Sequence, residues 1–111
     1  MREILAMRRE SESFDLHFHG LNDPFSVTVG RFPDGRVAEV FIDGRKRDQL
    51  FDHLARDAAI LISIALQHCA PIDALRKALS RDAHGSAQGI AGAALDVIVA
   101  GDPRDLGSAA R

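Results

Sequence analysis

Two histidines, His17 and His19, stand two residues apart in a segment whose apolar residues, Phe14, Leu16 and Phe18, alternate with polar ones. On a β-strand that spacing puts both imidazoles on one face, which two ligands of a zinc site can use. The spacing fixes no third or fourth ligand. His68, Cys69 and His84 are other residues of suitable type, but neighbours on a helix point about 100° apart, so His68 and Cys69 can share a site only at a helix end. A solvated strand face is the plainer reading of the His17/His19 pair, with a small metal- or ligand-binding protein as the alternative.

Cys69 as a nucleophile would need a base and an electropositive setting; a small buried apolar residue is the simpler expectation. Ser63 lies inside an apolar helical stretch, where a hydroxyl bonding back to the carbonyl of Ala59 is expected. The chain shows no Ser-His-Asp order, no paired-carboxylate spacing and no phosphate-binding glycine loop. These residues imply no catalytic constellation and no cofactor.

Arg45-Lys46-Arg47, with Arg31 and Arg36 in nearby loops, forms the one basic cluster that could meet phosphates. A solvated loop fits better with the chain's formal charge of -2, and nucleic acid is not the expected partner. Trp and Tyr are absent and Phe occurs six times, so stacking platforms for bases are scarce. Glu39 sits mid-strand between Ala38 and Val40. A partly buried carboxylate there needs a cation such as Arg31 or Arg56, and a structural ion pair is the expected outcome.

The elements that must position these residues follow from periodicity. Alternation over Phe14–Phe18, over Phe25–Val29 and over Val37–Asp43 gives three strands, joined by turn chemistry at residues 20–24 and at Phe32-Pro33-Asp34-Gly35-Arg36. The third strand is apolar on both faces, so it is either central or a covered edge. A long helix then runs from an Asp48 cap to Cys69, and from Ala58 to Leu66 it is apolar on nearly every side.

Pro71 ends that helix and opens a second, with Ile72, Leu75, Ala78 and Leu79 on one stripe and Arg76, Lys77 and Arg81 facing water. A third helix is expected from a Ser86 cap to Ala100, its Gly89 and Gly92 allowing close helix packing. The organised domain spans residues 13–101, with 1–12 and 102–111 as flexible ends.

This is an α+β pattern: a three-stranded antiparallel β-meander followed by three α-helices, the first long and central. At 111 residues it is one domain, and a single cysteine with no signal-like apolar run fits a cytoplasmic protein without a membrane span. One sheet face and two short helices do not fully cover so apolar a helix, which predicts a homodimer that completes its core across a two-fold axis.

Gly35-Arg36-Val37-Ala38-Glu39-Val40-Phe41-Ile42, then Ala58 to His68, then Ala70-Pro71-Ile72-Asp73-Ala74-Leu75, resemble the TSCPD domain, over about Phe25 to Ile98. That family is best known as the C-terminal region of adenosylcobalamin-dependent (class II) ribonucleotide reductases and also occurs as stand-alone proteins. Where the family would place Ser-Cys-Pro-Asp, this chain reads Ser86-Ala87-Gln88-Gly89, without the cysteine. The resemblance implies a shared fold and a non-catalytic binding or regulatory module, acting through protein–protein contact with a partner linked to nucleotide reduction.

Overall fold

The computed structural model describes residues 11–18, 23–44 and 49–101. Strands β1 (Ser11–Leu16), β2 (Phe25–Arg31) and β3 (Val37–Asp43) precede helices α1 (Gln49–Gln67), α2 (Ile72–Ala78) and α3 (Ile90–Ala100). The sheet is an antiparallel meander in the order β1-β2-β3. The expected α+β architecture is the one observed. The ends at 1–10 and 102–111, like Asp48, lie outside the described residues.

The register explains the core. Phe14 lies opposite Val27 and Leu16 opposite Phe25, while Val27 and Val29 face Ile42 and Val40 across the second ladder. One sheet face therefore carries an unbroken apolar surface, and Ala55, Ala59, Ile62 and Leu66 of α1, with Ile90, Ala94, Leu95 and Ile98 of α3, bury it. The Phe25 ring meets Phe51 edge to face at 6.2 Å between centroids.

β1 begins at Ser11, earlier than the alternation of large side chains suggests, and stops at Leu16, before Phe18. Its first turn of pairing is polar: Ser13 and Thr28 share a hydroxyl hydrogen bond of 2.9 Å, and the Arg31 guanidinium donates to Glu12 at 2.9 Å. Contacts of that kind leave no apolar period to read.

The turn after β2 is closed by the Phe32 amide on the Arg36 carbonyl and the Gly35 amide on the Phe32 carbonyl, both 2.9 Å. Gly35 takes φ 95° there, a conformation that favours glycine.

β3 proves to be a covered edge. α1 lies along it, and the cover is polar as well as apolar. Ser63 does not bond back to Ala59: its Oγ receives the Val40 amide at 2.8 Å and donates to the Val40 carbonyl at 3.0 Å. One helical turn later the Gln67 amide donates to the Ala38 carbonyl at 3.0 Å, and at the other end Asp52 accepts the Gly44 amide at 2.8 Å. Strand residues two apart meet helix residues four apart because about 6–7 Å separates each pair.

α1 ends at Gln67, two residues before the expected Cys69. The Ala70 amide returns to the Ala65 carbonyl and the Cys69 amide to the Leu66 carbonyl, each at 3.0 Å, the hydrogen-bond pair of a Schellman cap. Cys69 occupies the left-handed position of that cap with φ 72° and is exposed, contrary to the buried role expected of it.

α3 starts at Ile90, with Gly89 as N-cap, and not after a Ser86 cap. Asp82 accounts for the difference. Its Oδ1 accepts the His84 and Ser86 amides at 2.8 and 3.0 Å, while the Asp82 amide bonds the Ser86 carbonyl at 2.9 Å, which folds residues 82–86 into a separate loop. Of the two glycines expected at a close approach, only Gly92 makes one: a Cβ there would stand 3.0 Å from the Ala87 Cβ, whereas Gly89 has open space.

Candidate interaction surface

α1 has two unlike faces. Its inner face packs on the sheet through Ala55, Ala59, Ile62 and Leu66 and seals the β3 edge through Ser63 and Gln67. Its outer face carries Leu50, Leu54, Leu61 and Ile64, with Ile60 beside them. Their exposures are 66, 58, 67, 38 and 52%, so no described element covers them.

At 100° per residue, positions 50, 54, 61 and 64 fall on one stripe, directly opposite the sheet. His53, Asp57 and His68 share that side and are exposed. Exposed aliphatic side chains gathered on one helix face make a candidate contact surface, whereas scattered exposed residues such as Phe41 and Val97 do not.

A second polar centre joins α2, the following loop and α3. Arg76 and Arg81, both expected to face water, converge on Asp96: Arg81 donates to both carboxylate oxygens at 2.8 Å and Arg76 to one at 3.0 Å. Arg81 also donates to the carbonyls of Arg76 and Gly85, and Arg76 reaches Asp73 at 3.0 Å. The hydrogen bonds from Arg81 first, and then from Arg76, outweigh partial burial and lower the Asp96 carboxyl to about 2. Two arginines against Asp96 and Asp73 are charge-balanced, so this cluster ties elements together and holds no spare cation for a ligand. Three residues spread over twenty positions left no local pattern for sequence reasoning to find.

The described residues among those singled out from sequence are spread over the fold, although Arg36 and Cys69 line one pocket. His17 lies past the end of β1 and is exposed, and His19 falls outside the described residues, as do Arg45, Lys46 and Arg47. Among the described residues no three His, Cys, Asp or Glu side chains stand close enough to hold a metal ion. His84 is exposed in the loop after α2. Arg31 bonds Glu12 and the Gly35 carbonyl. Arg36 pairs with Asp34 at 2.7 Å, and its guanidinium sits 4.7 Å above the Phe32 ring.

Glu39 is buried, and its side chain lies over Gly30, where a Cβ would come within 2.6 Å of Oε2. Arg56, one of the two cations expected beside it, bonds Asp43 at 3.0 Å. Cys69 and Arg36 help line a pocket of about 150 Å³ with Phe32, Leu66, Pro71 and Val99.

Fold and surface together define a two-layer α+β domain whose long helix seals one sheet edge and shows an uncovered apolar face. The chain belongs to the TSCPD domain family, whose model matches residues 7–100. A vitamin B12-dependent ribonucleotide reductase of Agrobacterium fabrum is 38% identical over 47 residues, covering 42% of this chain. The matched stretch is 4% of that much longer reductase. No solved structure matches the chain. Among the described residues no helix is long and apolar enough to cross a membrane.

Proposed function

We propose that this chain is a non-catalytic binding or regulatory module that acts through protein–protein contact, in a setting linked to nucleotide reduction. The observation that carries the reading is the outer face of α1, where five large aliphatic side chains stand in water on a helix fixed to the sheet at three points along its inner side. The likeness of part of the chain to a B12-dependent ribonucleotide reductase supports the setting. The polar residues of α1 that touch β3 are consumed in structure, and the Arg76–Asp96–Arg81 cluster is charge-balanced, so neither supplies a reactive group.

The test compares the wild-type chain with Leu61→Glu as bait, first against purified B12-dependent ribonucleotide reductase and then by quantitative mass spectrometry of a native lysate. Capture of a defined protein by the wild type that Leu61→Glu abolishes is the expected result. Equal recovery by both baits overturns the assignment of function to the α1 face.

A further inference from the structure

The outer face of α1 has the properties of a surface made to meet its own copy, and we propose that two chains pair through α1 in an antiparallel arrangement about a two-fold axis passing between residues 62 and 63. This deepens the contact role proposed above and rests on it.

The first argument is area. Leu50, Leu54, Ile60, Leu61 and Ile64 each leave on the order of 100 Å² in water, so the face offers roughly 500 Å² per copy. Doubled across a two-fold axis this is about 1,000 Å², the lower bound of a specific interface. A single layer of aliphatic residues on one helix face gives the isologous, self-matching surface that a two-fold contact requires.

The second argument is charge. In an antiparallel pair with its axis between 62 and 63, each residue lies opposite the one whose number makes the sum 125. Leu61 then meets Ile64 of the second copy, and Ile60 meets Ala65. The same register sets Asp57 against His68, once at each end of the apolar patch. Both side chains are exposed, and among the described residues neither has an ion-pair partner. The alternative register centred on residue 57 would set Asp57 against its own copy, a like-charge contact at the middle of the interface.

Sedimentation equilibrium and light scattering on the full chain test the arrangement. The expected species at micromolar concentration has twice the 12.0 kDa mass of one chain. Leu61→Glu, with its circular dichroism spectrum unchanged, should weaken association by roughly 100-fold, since a central anchor residue is replaced by a desolvated charge. Asp57→Lys should weaken it by roughly 3- to 10-fold, the range of a rim pair, and adding His68→Glu should restore it.

A wild-type chain that stays monomeric at 100-fold higher concentration overturns the pairing. If Leu61→Glu still abolishes capture of another protein, that result returns the face to a different partner and leaves the contact role standing. A dimer that survives Leu61→Glu, or one in which the charge exchange fails to compensate, overturns the proposed interface.

Discussion

Ser63 and Val40, twenty-three residues apart, are joined twice: the Ser63 hydroxyl accepts the Val40 amide and donates to the Val40 carbonyl. A strand at the border of a sheet turns every second residue's amide and carbonyl outward, where another strand would normally take them. Here a helix side chain takes both.

Ser63→Ala should therefore cost about 1–3 kcal/mol, because it leaves a buried amide and carbonyl without partners. Urea denaturation of the two proteins measures this, and a loss below about 0.5 kcal/mol would show that water replaces the hydroxyl. Gln67→Met, which keeps volume but removes the donor to Ala38, should be milder at about 1 kcal/mol.

Cys69 holds a left-handed conformation at the position where helices most often place glycine. Cys69→Gly should raise stability by about 0.5–1 kcal/mol, whereas Cys69→Ala should leave it nearly unchanged. Thermal unfolding followed by circular dichroism separates the two variants. An unstable Cys69→Gly would mean that the thiol's contacts outweigh the backbone strain.

Gly30 is the site where the carboxylate of Glu39 crosses β2. Gly30→Ala should destabilise by about 1–3 kcal/mol, since the new methyl would stand 2.6 Å from Oε2 and 2.8 Å from Cγ of Glu39. Combining it with Glu39→Ala should recover part of the loss, a coupling that a double-mutant cycle in urea detects. Strict additivity would show that the strain lies elsewhere.

The Asp96 carboxyl titrates near 2 in the folded chain, against an ordinary 3.8. Because the folded value is the lower one, the cluster's contribution is complete above pH 3.8 and disappears as pH falls towards 2. It amounts to about 1 kcal/mol once solvent screening of a partly exposed carboxylate is allowed for. Asp96→Asn should lose that contribution at neutral pH and show a shallower decline in melting temperature between pH 4 and 2 than the wild type. Parallel declines would remove Asp96 from the acid response.

The strand count, the meander and the central helix were legible because Phe25, Val27, Val29, Val40 and Ile42 alternate, and Ala55, Ala59, Ile62 and Leu66 recur at helical spacing. What escaped were contacts between polar residues far apart in the chain. Local spacing points Ser63 to its near neighbour Ala59, because it cannot show that a strand edge lies alongside. The spacing of Arg76 and Arg81 points them to water, because a charge's partner on another helix leaves no periodic trace. Asp82 drew the segment before α3 into a loop, which delayed a helix that Ser86 seemed ready to cap.

The excess of aliphatic residues on α1 was visible in the composition of Ala58 to Leu66. The surplus falls on one outward face because the sheet claims the other.

Sealing β3 has a consequence for assembly. A sheet lengthens by recruiting strands at its borders, and among the described residues this one has a single border, β1, without a helix laid along it. The architecture that uses up Ser63 and Gln67 thus caps the sheet on the β3 side, blocking the strand-by-strand polymerisation into fibres that two open borders would permit.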